Sequence, residues 1–289
     1  MKYALKKNIW PYFGLIFLVL VILLIYNKTF LIQGAYPLIN PNFRELNNSN
    51  RINNLNCTTL GFSHIYVINL EYRIDRYRKM KVLGNYLHLN LDIIKAVNKY
   101  DRVAISKLNK SGLSAGVKAC YLSHYSIFES IVKNGYENGL IFEDDIDIEI
   151  NITNIMTEVY RKLPSDWDML YLGHCSERGS YIETGLTIHV LYKSEHPKCT
   201  HAYAVSAKGA KKLLEKLNII DPYYHLDMQI VDLIMAGEII SYSIHPPIVV
   251  QFKGVTDLSD VSPGIEGGTD PLMNSTLRIL GYDPDGPNS

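Results

Sequence analysis

The most apolar block of the chain lies at its start. No charged residue falls between Ile9 and Tyr26, and Leu15 to Ile25 is almost wholly Leu, Ile, Val and Phe. A helix of that length crosses the hydrocarbon core of a bilayer. Lys2, Lys6 and Lys7 precede it and only Lys28 follows closely, which predicts a cytosolic tail (1–8), a signal anchor (9–26) and a luminal remainder. Trp10, Tyr12 and Tyr26 stand where interfacial aromatics belong. A cleaved signal peptide would have a shorter apolar region and an A-x-A-like cleavage site, and no such site is found.

Residues 27–62 are rich in Asn and Pro without periodicity and read as a stem. From Ser63 the pattern changes. His64–Leu70 is a β-branched and aromatic run of strand length, and the charged segment after it has helical spacing. A second strand is expected at 91–97, then a loop over 98–114. From Ala115 to Lys133, Val117/Cys120/His124/Ile127/Ile131 and Tyr121/Tyr125/Phe128/Val132 form two stripes of one helix. Leu140-Ile141-Phe142 reads as a buried strand running into Glu143-Asp144-Asp145-Ile146-Asp147. Further strands are expected at 169–172, 186–192, 201–205, 239–245 and 248–252, with helices at 207–217 and 227–236. This alternation predicts an α/β domain over 63–252, a largely parallel sheet with helices on both faces. Residues 253–289, rich in Gly, Pro and Asp, are expected to be a loop closing over a ligand or a tail.

Charge narrows the function. The 29 basic side chains balance 29 acidic ones, so no global field recruits nucleic acid, and any phosphate must be held locally. N-x-[ST] acceptors at Asn27, Asn47, Asn56, Asn109, Asn151 and Asn274 agree with a luminal domain, although an Asn-rich chain produces several by chance. The four cysteines, Cys57, Cys120, Cys175 and Cys199, have no metal-finger spacing. A lumen permits up to two disulfides among three connectivities, and Cys120, in a buried helix, reads as a free thiol.

Ligands of open α/β sheets sit at the carboxyl ends of strands, where the acidic run falls. Four carboxylates crowded there repel one another unless a cation or solvent relieves them. Mg²⁺ or Mn²⁺ takes oxygen ligands, commonly one or two carboxylates plus substrate phosphates, and could hold a nucleotide diphosphate there. A fully hydrated acidic loop is the plainer alternative.

Further segments resemble glycosyltransferase family 25 in order along the chain: VINLEYRIDRYRKM (67–80), AGVKACYLSHYSIFESI (115–131), LIFEDDIDI (140–148), WDMLYLG (167–173), HAYAVSAKGAKKLL (201–214), HLDMQ (225–229) and HPPIVVQ (245–251). The resemblance implies a GT-A-like, Rossmann-type domain and an inverting, metal-dependent transfer of a hexose, galactose first, from a UDP-sugar to a glycan, lipid or protein. It implies that Glu143, Asp144 and Asp145 are the acidic motif, with Glu143, Asp145, Asp147 and His245 as metal ligands and Asp144 toward the donor. Asn69, Arg73 and Arg76 after the first strand would then meet the nucleotide, an Arg fork suiting phosphate or ribose. Asp227 would be the base that takes the acceptor proton. Helix capping explains Asp227 equally, core packing explains His124, and strand-end packing explains His245. With the anchor, these expectations make a type II protein of the Golgi or ER membrane. The competing classes are a non-catalytic scaffold of the same fold and a metal-dependent hydrolase, which would need a second cluster that the chain does not contain.

Overall fold

A computed structural model of the chain describes residues 57–108, 112–182, 188–253, 261 and 271–283. The predicted anchor (9–26), most of the stem, and residues 254–260 and 262–270 of the predicted C-terminal loop or tail lie outside the described residues. Among the described residues no helix is long and apolar enough to cross a membrane.

In chain order the elements are β1 (Ile65–Asn69), α1 (Ile74–Tyr86), β2 (Asp92–Lys95), α2 (Arg102–Ile105), α3 (Ala115–Lys133), β3 (Asn138–Glu143), β4 (Ile146–Ile148), α4 (Ile152–Lys162), β5 (Met169–Gly173), β6 (Ser180–Ile182), β7 (Val190–Lys193), β8 (Ala202–Ser206), α5 (Ala207–Lys216), α6 (Leu226–Met235), β9 (Ser241–His245), β10 (Val249–Gln251) and α7 (Thr276–Ile279). Eight strands form one sheet in the order β2-β1-β3-β8-β5-β9-β7-β6, and β4 pairs with β10 beside it. The pairings make β2, β1, β3, β5, β9 and β6 share one direction, with β8 and β7 running against it.

The near-continuous apolar strands follow from burial on both faces. Ile65 and Val67 enter one core with Leu140, Phe142, Leu170 and Leu172; the alternate residues Tyr66, Ile68, Ile141, Met169 and Tyr171 enter the other. Met80 and Leu83 of α1 and Met156 and Val159 of α4 cover the first face, while Phe128 of α3, Leu213 of α5 and Ile230 of α6 cover the second. The two-residue strand period thus assigns each helix its side.

Helix α3, which carries much of the site, is closed at both ends. The Ser114 hydroxyl accepts from the Val117 N–H at 3.4 Å. At the other end Gly135, at φ +68°, allows the Tyr136 N–H to reach the Ile131 carbonyl and the Gly135 N–H the Val132 carbonyl.

Four expectations change. Helix α2 falls inside the stretch predicted as loop, and α4 was not anticipated. Residues 57–62, assigned to the stem, pack into the domain through buried Leu60 and Phe62. Part of the predicted tail is also structural: buried Leu277 enters the core, and Asp147 and Glu149 hold residues 274–277 against β4.

Candidate active site

Strands β1 and β3 are parallel neighbours with Ile68 opposite Glu143, so their carboxyl ends bring Asn69 beside the acidic run. Helix α1 starts just beyond β1, and Arg76 in its first turn points back to the same place. Asn69 Nδ2 donates to Asp144 Oδ2 at 2.7 Å and Arg76 Nη1 to Asp144 Oδ1 at 2.8 Å. Arg76 Nη1 also stands 3.2 Å from Asp145 Oδ2, and Lys253 Nζ reaches that oxygen at 3.4 Å. The repulsion read from the sequence is therefore relieved by two side-chain cations and an amide. One acceptor is left over: Asp145, only 4% exposed, has Oδ1 buried without a hydrogen-bond partner.

Burial pushes the Asp144 carboxyl up, reinforced by the Asp145 charge and opposed by Arg76 and Asn69, to about 6. An acid whose folded pKa is raised binds more protons in the native state than in the unfolded one, so its contribution to stability falls as pH rises between the two values. Asp144 should therefore cost the fold stability as pH climbs from 3.8 to about 6, with no further change above. Thermal melts in EDTA should show wild type losing on the order of 2–3 kcal/mol against Asp144→Asn across that window. A pH-independent difference would show that Asp144 does not carry this shift.

Glu143 turns toward α3. Its Oε1 accepts from Thr200 Oγ1 at 3.3 Å and lies 3.5 Å from His124 Nε2, while His124 Nδ1 and the Tyr203 hydroxyl are 3.0 Å apart. Burial works against the Glu143 charge, but the His124 hydrogen bond, with His201 and Lys253, outweighs it and holds the carboxyl well below its ordinary value.

Apart from Asn69 and Tyr203, these groups line a cavity of about 290 Å³. Its remaining wall includes the Cys175–Cys199 disulfide and the start of α6. Asp227 sits in the first turn of α6, accepting from the Cys199 N–H at 3.2 Å through Oδ2 and from the Met228 N–H at 2.9 Å through Oδ1. Each carboxylate oxygen retains a further lone pair, so both a capping role and proton acceptance are chemically open. The Cys120 thiol is free.

Asn69, Arg76, Glu143, Asp144, Asp145 and Asp227 are thus gathered at one place. Arg73, Asp147 and His245 are not. Arg73 forks onto Asp75, at 3.1 Å from Nε and 2.8 Å from Nη2, away from the cavity lining. Asp147 faces the C-terminal segment: Ser275 Oγ donates to it, as do the N–H groups of Ile148 and Leu277, at 2.8 and 3.0 Å. The two-residue strand period explains this, since Ile146 and Ile148 on either side both enter the core. His245 ends β9, which β8 and β5 separate from β3, and three inter-strand steps amount to about 14 Å. There it stacks on His174, with ring centroids 5.8 Å apart.

The structure adds three residues to which the sequence assigned no role: Lys253, Thr200 and His201. His201 is fully buried in the cavity lining, its Nε2 3.3 Å from the Val249 carbonyl and its Nδ1 without a partner. Gly173 makes room for it, because a Cβ there would lie 2.4 Å from His201 Nε2 and 2.3 Å from the Val249 oxygen. No local pattern marks Lys253 or Thr200; only the approach of β10 and β8 to the end of β3 brings them in.

Residues 62–232 match the family model described as glycosyltransferase family 25 (LPS biosynthesis protein). Procollagen galactosyltransferase 1 of Danio rerio is 30% identical over 174 residues, covering 54% of this chain and 29% of that protein. The inactive glycosyltransferase 25 family member 3 of Homo sapiens is also 30% identical, over 177 residues, 54% of this chain and 29% of that one. The chain spans less than a third of the length of these curated relatives. Among solved structures, a glycosyltransferase involved in glycosylation of the major capsid of PBCV-1 aligns over 68% of this chain and 94% of its own, at 11% identity and a TM-score of 0.34, too low to carry an argument. The family match takes in β1, α3, the Glu143–Asp145 run and Asp227, the elements that build the cavity, and the chain belongs to glycosyltransferase family 25.

Proposed function

We propose that this chain is an inverting glycosyltransferase that moves a hexose, galactose first, from a UDP-sugar in the described cavity to a hydroxyl of a glycan, lipid or protein. We further propose that residues 9–26 anchor it in a Golgi or ER membrane with the domain in the lumen. The observation that carries the activity is the unpartnered Asp145 oxygen at the carboxyl ends of β1 and β3, buried beside Arg76 and Lys253. A mixed site of this kind suits a nucleoside diphosphate with its counter-ion better than a bare anion or a bare metal. The sharing of this family with procollagen galactosyltransferases supports galactose.

The residues fit Mn²⁺ or Mg²⁺ through Asp145 Oδ1, with Glu143 in the same cavity, one or two carboxylates being the usual protein share for such ions. When bound, the ion would offset negative charge on the departing diphosphate. Arg76 and Asn69 hold Asp144 in place and thereby orient Asp145. Lys253 supplies a further positive charge at the cavity, and Asp227 on the opposite element takes the proton of the acceptor hydroxyl.

Calorimetry of the full chain in detergent should show UDP binding in Mn²⁺ and its loss in EDTA. A folded chain that binds no UDP with Mn²⁺ present would remove the donor assignment. A second reading has its own observation: a relative named inactive is as similar to this chain as one named a galactosyltransferase. A non-catalytic scaffold would give UDP binding without hexose transfer from any UDP-sugar.

A further inference from the structure

We propose that Cys120, His124 and Glu143 form a binding site for a thiophilic divalent cation, Zn²⁺ being the type, on the cavity wall and chemically distinct from the oxygen of Asp145. Cys120 and His124 stand four residues apart on α3, so they project from one side of the helix, toward the end of β3. One ligand atom from each of the three side chains lies within 4.8 Å of the other two. That spacing lets all three reach a common ion after small side-chain rotations.

The imidazole is already oriented for the role. The Tyr203 hydroxyl engages Nδ1 at 3.0 Å, which leaves Nε2 facing Glu143 Oε1 at 3.5 Å. A hydrogen bond to the non-ligating nitrogen is what fixes ring orientation in histidine metal sites. All three side chains line the cavity, so a tetrahedral ion held by them would keep its fourth position toward that space. A sulfur, nitrogen and oxygen set selects Zn²⁺ or Co²⁺ over Mn²⁺ and Mg²⁺, which prefer oxygen throughout. The neighbouring set of Cys175, Cys199 and His201 has equally close atoms, but its two sulfurs are joined to each other and offer no thiolate. On binding, the Cys120 thiol releases its proton to solvent and no group changes oxidation state. One consequence rests on the donor reading above: Glu143 belongs to the acidic run, so an ion here would compete with the nucleotide-sugar.

Co²⁺ reports the site without any nucleotide. Full chain stripped with EDTA, exchanged into chelator-free buffer and titrated with Co²⁺ is expected to develop a sulfur-to-cobalt charge-transfer band that Zn²⁺ abolishes and excess Mn²⁺ does not. Cys120→Ala should lose the band and Cys57→Ala should keep it. Tyr203→Phe, which deletes only the orienting hydroxyl, should weaken Co²⁺ binding about tenfold. A band that survives Cys120→Ala, or no band from wild-type protein with a native circular dichroism spectrum, overturns the site. Failure of the donor reading would appear separately, as absent UDP binding with the cobalt band intact.

Discussion

Asp145→Asn is expected to reduce hexose transfer about 10³-fold while leaving the protein folded. The estimate follows from losing a preorganised charge at a buried reacting centre, which typically costs 10²–10³ in rate. Asparagine keeps the volume and still offers an acceptor to Arg76 and Lys253. What it removes is the anionic character of the oxygen that has no partner of its own. UDP release from UDP-galactose, followed beside a thermal melt, gives both readouts. Turnover within tenfold of wild type in a variant of unchanged melting temperature would exclude Asp145 from the donor site. Asp147→Asn is the matching control, because Asp147 is committed to Ser275 and Leu277 and should leave the rate nearly unchanged.

Arg76→Ala is expected to cost on the order of 3–5 kcal/mol, because removing one partner of a buried ion pair strands the other charge. Asp144 and Asp145 would be left with only Asn69 and Lys253 to offset two buried carboxylates. For a domain of this size that is a fall of about 10 °C in melting temperature. The deficit should shrink below about pH 5, where Asp144, already raised to about 6, is protonated and one of the two stranded charges disappears. Arg73→Ala provides the contrast. Its fork is to Asp75, which is 63% exposed, and pairs of that kind contribute up to about 1 kcal/mol. Equal losses from the two variants would show that the Arg76 pairing is not the stabilising contact the geometry describes.

Much of the fold was legible because it is written in periodicity. Strands β1, β3, β5 and β8 bury alternate residues on two faces, so their apolar runs are continuous and short, as the sequence shows. Helix α3 was legible for the same reason, with apolar residues around most of its circumference. Helix α4 was passed over although Ile152, Met156 and Val159 have core-facing spacing, because Asn and Thr between them obscure the stripe. The packing of residues 274–277 on β4 was not visible, since it depends on Asp147 and Glu149 acting as acceptors for a segment some 125 residues away.

The candidate site divides along the same line. Glu143, Asp144 and Asp145 could be singled out from the chain because they follow a strand whose pattern is local, whereas Asn69, Arg73 and Arg76 were named through the family resemblance, and the structure brings Asn69 and Arg76 to the acidic run. Asp147 and His245 share the chemistry of metal ligands and were named with them, yet strand pleat turns the first away and sheet order puts the second three strands over. His201, Lys253 and Thr200 carry no local sign, and only the pairing of β8 with β3 and of β10 with β4 delivers them to the cavity. Residue type and short-range spacing therefore specify the elements and the chemistry available at their ends. Which of those groups meet is decided by register and strand order, long-range properties that minimise the energy of the whole core.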